Sequence, residues 1–359
     1  MTNPKRKFIV AMSGGVDSST VAAMLKHQGH EVIGVTLQLY ESNTMEKGVC
    51  CTGIDDAKNV AKKLDIPHHV LNCERKFKKS VIDDFADTYL RGETPIPCIH
   101  CNQDIKFAEL FKMAKKLKAD TVATGHYVRK IQNAAKNELH KAVDDKKDQS
   151  YFLFTTTPEQ LGFLEFPLGN FSKEYTRELA QKYNLEIANK PDSQDICFVS
   201  GGDYKKIIEK FRPGALDPGN ILDVKGNLIG KHDGIINYTV GQRKGLGIAA
   251  KEPYYVIKIN PKDNSVVIGY EKDLRRTEFY IKDTNWLIDE DLVRVGLEAE
   301  VKLRSTHKGC KAKICKISKN GVYKIRLSEY QKSITPGQAC VFYEGSRLLG
   351  GGWITSEIK

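Results

Sequence analysis

The sequence runs to 359 residues, more than one ordinary core holds at about 100–200 residues per domain, so two or three domains are expected. Hydrophobic residues make up 40% and charged residues 28%, as in a soluble globular protein. No apolar run approaches the roughly 20 residues that span a bilayer, and the N-terminal MTNPKRKFIV lacks a signal-peptide pattern, so a cytoplasmic protein with no membrane partner is expected.

The formal net charge of +11, from 56 basic and 45 acidic residues, favours a polyanionic partner such as nucleic acid, with solubility as the plain alternative. The basic residues are scattered, so any footprint must be assembled by folding.

Residues 7–12 read as a buried strand, and 18–28 as a helix stopped by Gly29. Strand 32–39, helix 55–64 (ending before Ile66-Pro67), strand 68–72, helices 78–90 and 105–117 and strand 120–124 follow. That alternation predicts an α/β domain with a parallel sheet and crossover helices. Residues 92–104 read as a loop, because Pro95 and Pro97 favour extended backbone; it carries Cys98 and Cys101. A helix over 176–183 precedes a polar loop, 191–202, with Cys197.

After about residue 205 Gly and Pro punctuate short strands. From about 277 only alternating strands remain, at 298–304, 311–317, 322–327 and 339–343, the pattern of a small antiparallel barrel or sandwich. The expected domains are 1–204 (nucleotide-binding and catalytic), 205–274 (small, mixed, central) and 275–359 (antiparallel β-barrel).

Nine cysteines, an odd count, argue against a structural disulfide framework. Cys73, Cys310, Cys315 and Cys340 lie on strand-like stretches and read as core. Cys50 and Cys51, in a Gly-rich loop, receive no role.

Residues 13–19 read SGGVDSS between a strand and a helix. Gly14 and Gly15 permit a tight turn whose N–H groups approach an anion, Ser13, Ser18 and Ser19 add hydroxyls, and the helix N-terminus adds partial positive charge. Asp17 is too acidic to touch phosphate and would suit a magnesium ion. This is neither GxxxxGK[ST] nor GxGxxG.

The loop resembles the PP-loop of the N-type ATP pyrophosphatases, which cleave ATP between its α and β phosphates and adenylate a substrate. Further motifs are PIPCIHCN (95–102), ATGHYV (123–128), KDQSYFL (147–153), DSQDICF (192–198), GQRKGLGI (241–248), PGQACVFY (336–343) and LGGG (349–352). In that order they resemble the bacterial tRNA-specific 2-thiouridylases over nearly the whole chain.

The resemblance implies an adenine nucleotide alpha hydrolase-like N-terminal domain, ATP with Mg2+, and nucleotide contacts at Ala11, Met12, Ser13, Gly14, Gly15, Val16, Asp17, Ser18, Leu37 and Gly125. It implies Cys197 as the persulfide carrier and Cys101 as the thiol that releases the sulfur. tRNA contacts are implied at Ile96, Pro97, Cys98, His126, Lys147, Asp148, Gln149, Arg243, Arg304, Ser305 and Gln338, with Gln242 and Lys244 beside Arg243. Expected partners are lysine, glutamate and glutamine tRNAs and a sulfur donor, either a cysteine desulfurase or a relay protein.

A helix N-terminus near Asp104 is expected to lower the pKa of the Cys101 thiol. Many family members carry aspartate where this chain has Cys98. The change creates Cys-x-x-Cys, and with Cys197 three thiolates could hold a [4Fe–4S] cluster or bind zinc weakly. Two other readings stay open: an iron–sulfur PP-loop thiolase acting on cytidine, and a redox-sensing RNA-binding protein that no longer turns over.

Overall fold

The computed structural model describes residues 4–40, 51–133, 136–192, 196–199, 203–294, 296–317, 321–332 and 334–356. Cys50 lies outside them, as do residues 193–195 and 200–202. The chain forms two compact units. One comprises Met1–Val81, Cys98–Gly202 and Ser346–Leu348, the other Ile82–Pro97, Asp203–Gly345 and Leu349–Lys359.

In the first unit β1 (Lys7–Ala11) leads to α1 (Val16–His27), β2 (Glu31–Gln38), α2 (Cys51–Lys63), β3 (His68–Asn72) and α3 (Glu74–Phe77). A π-helical stretch, Lys78–Ile82, continues into α4 (Asp83–Leu90) of the second unit. α5 (Pro97–His100) runs through a π-helical segment, Cys101–Phe107, into α6 (Ala108–Leu117), followed by β4 (Thr121–Ala123). The hairpin β5 (Val128–Asn133) and β6 (Lys136–Lys141), α7 (Pro158–Phe163), β7 (Leu164–Glu165) and α8 (Lys173–Lys182) complete the unit.

The sheet order is β3-β2-β1-β4-β7, all parallel. Both of its faces are covered, which is why Phe8, Ile9 and Val10 are buried in succession rather than alternately. α1 stops where Gly29 takes φ +86°. α7 starts with Pro158 at its first position and a reciprocal Thr157–Gln160 capping box.

The structure corrects one segment. Residues 97–104 are helical, not loop. Pro97 opens α5, where its missing N–H is no loss, so the proline marks the helix start.

In the second unit α9 (Tyr204–Phe211) is followed by Arg212, whose guanidinium forks onto Asp87 of α4 at 2.7 and 3.1 Å. β8 (Pro218–Asp223), β9 (Leu228–Asp233), β10 (Tyr255–Asn260) and β11 (Ser265–Gly269) form a mixed sheet ordered β10-β11-β8-β9. β12 (Arg276–Trp286), β13 (Leu297–Lys302), β14 (Cys310–Lys316), β15 (Tyr323–Gln331), β16 (Ala339–Glu344) and β17 (Arg347–Thr355) follow the order β12-β15-β14-β13-β16-β17, and β12 pairs with β17 to close an antiparallel barrel. Val301, Ile314, Tyr323, Ile325 and Phe342 fill its interior, alternating with exposed neighbours along β14 and β15. Among the described residues no helix is long and apolar enough to cross a membrane.

Candidate functional site: a nucleotide loop and a thiol cluster

β1 has β2 on one side and β4 on the other, so the connections diverge between β1 and β4. Open parallel sheets bind ligands at such a point, beyond the carboxyl ends of the strands. The SGGVDS loop follows β1 and Thr124–His126 follow β4. A Cβ on Gly125 would lie 2.9 Å from the Ser18 backbone N, so only glycine lets the two strand ends approach this closely. Gly14 has φ +74°, and its Cβ would fall 2.0 Å from the Gly53 carbonyl oxygen.

Within the loop the Ser13 N–H donates to Ser18 Oγ at 3.1 Å, and the Thr36 hydroxyl donates to Met12 O at 2.7 Å. Gly15 caps α1 without a capping side chain, leaving the first-turn N–H groups of α1 open to an anion. Ala11, Met12 and Val16 flank the loop along the chain, and Leu37 is the penultimate residue of β2.

Asp17 does not fit the expected role of magnesium ligand. Its two carboxylate oxygens accept from Lys173 Nζ at 2.6 and 2.8 Å, and Oδ1 accepts from the Tyr127 hydroxyl at 2.8 Å. Lys173 also pairs with Asp192 at 2.8 Å, and Asp192 takes Lys147 at 2.7 Å and Arg177 at 3.0 Å. Burial opposes the ionised Asp192, but Lys147 and Lys173 outweigh it and hold its pKa down to about 2. Burial and then Asp17 push the Tyr127 phenol well above its ordinary range.

Sequence reading missed Lys173, because a lysine in a polar stretch ahead of the expected helix looks solvated. It is 6% exposed. Replacing Lys173 by methionine leaves two carboxylates facing each other without their shared cation. The expected cost is about 3 kcal/mol, read as a lower denaturant midpoint at unchanged slope; a midpoint equal to wild type contradicts the bridging role.

The second feature is the cysteine cluster. Cys101 is 5% exposed and opens the π-helical segment, whereas Cys98 and Cys197 are exposed. Cys101 therefore sits inside a continuous helical run rather than before a helix N-terminus at Asp104, and burial pushes its thiol up, against the expected lowering. Although Cys197 is exposed as a residue, desolvation at its sulfur and then the charge of Cys101 push its thiol up, and Lys106 opposes the rise at both sulfurs. The 196–199 segment is anchored by Phe198, edge-on to Phe77 at 5.7 Å, and by the Tyr40 hydroxyl donating to Cys197 O at 3.0 Å.

Lys106, which sequence reading also missed, donates to Asn102 Oδ1 at 2.9 Å, and the Asn102 amide donates to Phe152 O at 3.3 Å. His126 Nδ1 lies 2.9 Å from Thr124 Oγ1; burial and then Lys106 push its pKa down to about 3, so the ring is neutral near pH 7. Among the described residues no group of three or more His, Cys, Asp or Glu side chains is arranged to hold a metal ion. The Cys98, Cys101 and Cys197 set is thus not preformed for a [4Fe–4S] cluster.

The other expected RNA contacts fall in several places. Asp148 accepts from the Ala142 N–H and from Ser150, and Gln149 Oε1 accepts from the Tyr127 N–H at 2.9 Å, so this turn braces the Asp17 partner. In the second unit Ile96 and Pro97 are buried, and the Gln338 amide donates to Thr94 O at 3.1 Å just before them. Arg243 and Lys244 line a cavity of about 490 Å³ with Leu246, Ile248 and Tyr254. Arg304 and Ser305 are exposed in the turn that follows β13.

Three family descriptions match in succession: tRNA methyl transferase HUP domain over residues 6–201, tRNA methyl transferase PRC-barrel domain over 205–270, and aminomethyltransferase beta-barrel domain over 276–354. The tRNA-specific 2-thiouridylase MnmA of Rickettsia felis is 57% identical over 356 residues, 98% of this chain and 97% of its own. That of Rickettsia prowazekii is 57% identical over 356 residues, covering 98% and 99%. A more distant likeness joins 59% of this chain to 68% of the U34-tRNA thiolase NcsA from Methanococcus maripaludis with its [4Fe-4S] cluster, at 18% identity and a TM-score of 0.37. Such identity across almost the full length, on a parallel-sheet domain followed by a mixed sheet and a closed barrel, makes this chain a member of the tRNA-specific 2-thiouridylase family, an enzyme that transfers sulfur to a uridine of tRNA.

Proposed function

We propose that the enzyme uses ATP to adenylate O2 of the wobble uridine and replaces that oxygen with sulfur carried as a persulfide on Cys197. Magnesium would arrive with the triphosphate. The uridine O2 attacks the α phosphorus and pyrophosphate leaves. The terminal persulfide sulfur then attacks C2 and AMP departs with the former O2. The Cys101 thiolate attacks the Cys197 Sγ, forming a Cys101–Cys197 disulfide and leaving the outer sulfur on C2. A thiol reductant resets the pair.

The observation that carries this reading is the common electrostatic neighbourhood of Cys101, Cys197 and Lys106 in the unit that bears the SGGVDS loop. Wobble recognition needs the base splayed from its stack, which suits a protein that meets the anticodon loop. Exposed Arg243, Lys244 and Arg304 suit the RNA backbone. Lysine, glutamate and glutamine tRNAs are the substrates assigned, with a cysteine desulfurase or relay protein as donor, and residues 1–204, 205–274 and 275–359 divide catalysis from RNA grip.

Unmodified tRNA incubated with enzyme, ATP and a persulfide donor should yield 2-thiouridine at the wobble position, with AMP and pyrophosphate formed one for one. ADP and phosphate instead, or sulfur at another base, would refute the scheme.

A further inference from the structure

The π-helical segment Cys101–Phe107 bonds each turn from i to i+5, so Cys101 and Lys106 stack one turn apart. In an α-helix the same five-residue spacing would turn them roughly 140° from each other. Nζ of Lys106 is fixed by Asn102 Oδ1 at 2.9 Å, and that amide is oriented in turn by Phe152 O. Among the described residues this lysine has no carboxylate partner. Asp104, on the same segment, is 3.5 Å from His100 instead. The groups whose charge Lys106 meets are Cys101 and Cys98 on its own helical run, Cys197 from the 196–199 segment, and the neutral His126 after β4.

A lysine drawn out of bulk water with only an amide oxygen as partner is a cation awaiting an anion. Its neighbours are sulfurs whose reactive forms, thiolate and persulfide, are anions. We propose that Lys106 is the positioning residue that supplies the positive charge for the sulfur anions of Cys101 and Cys197, held at them by the π-helical turn. This deepens the sulfur-transfer reading and rests on it for its role in catalysis, but the charge assignment itself is testable without tRNA, ATP or sulfur donor.

Consistent with that placement, burial works against the Lys106 ammonium, yet Cys101, Cys98 and Cys197 outweigh it and hold its pKa above the ordinary lysine value. The helix dipole invoked from sequence for Cys101 is replaced by this point charge.

The test is iodoacetamide alkylation of the full chain across pH 6–10, resolved by site with mass spectrometry, in wild type, Lys106→Gln and Lys106→Arg. Thiolate fraction sets the rate at an accessible thiol, so loss of the cation should slow alkylation of the exposed Cys197 about tenfold at pH 8, a one-unit displacement of the profile. Arginine should restore that rate to within about threefold, since it keeps the charge. Cys73, buried in the same unit, reports folding: it should stay protected in all three chains. Unchanged profiles in Lys106→Gln, or equal slowing in Lys106→Arg, would overturn the assignment. The sulfur-transfer reading fails on different evidence, namely normal thiolation by a serine variant of either cysteine.

Discussion

Gly14→Ala should lose at least about 100-fold in pyrophosphate release and melt a few degrees below wild type. Two constraints act at once. Position 14 takes φ +74°, which costs an L-residue about 1–2 kcal/mol. The added Cβ would also fall 2.0 Å from the Gly53 carbonyl oxygen, which is backbone and cannot rotate away. The loop must shift by an ångström or more, and displacements of that size cost on the order of 10²-fold in rate when reacting groups are misplaced. Gly15 is the contrast. It has φ −93°, and its Cβ would meet only Ser13 Oγ at 3.4 Å, so Gly15→Ala should lose far less. Measuring pyrophosphate release with saturating tRNA separates the two. A Gly14→Ala enzyme within threefold of wild type would show that the loop does not clasp the triphosphate.

Cys101→Ser and Cys197→Ser should each cut 2-thiouridine formation by at least about 10³-fold and leave ATP-to-AMP chemistry on the tRNA in place, because a hydroxyl can neither carry a persulfide nor close a disulfide. The distinguishing readout is the covalent state. Wild type after one turnover should carry a Cys101–Cys197 disulfide. Cys101→Ser should stall with sulfur still on the enzyme, and Cys197→Ser should never load it. Either variant turning over at a tenth of the wild-type rate would remove that cysteine from the scheme.

Much of this was legible in the sequence where chemistry is local. SGGVDSS after an apolar strand names its own turn, and Gly29 stops α1 where a left-handed residue is required. The strand expected at 311–317 is observed as Cys310–Lys316, because alternation is a strong signal in a barrel wall, and that at 339–343, an unbroken apolar run buried on both faces, as Ala339–Glu344. The hairpin Val128–Asn133 with Lys136–Lys141 was not read, since its strands are too polar to alternate clearly.

At the site the misreadings of Asp17 and Lys173 share one cause: they depend on partners far away in sequence. Lys173 meets Asp17 across 156 positions, and Tyr127 meets it across 110. Nothing beside either residue announces the pairing. Pro97 misled for the opposite reason. Its φ suits extended chain and the first helical position equally, and only packing decides. The widened turn at Cys101–Phe107 has no composition signature at all.

That widened turn makes backbone register an ingredient of the chemistry. A substitution that leaves every named side chain intact, yet lets residues 101–107 tighten by one hydrogen-bond step, would turn Lys106 away from Cys101 around the rod. Such a chain would lose part of what deleting the lysine removes, with the lysine still present. Activity lost without any missing functional group is therefore the signature to look for among variants of this stretch.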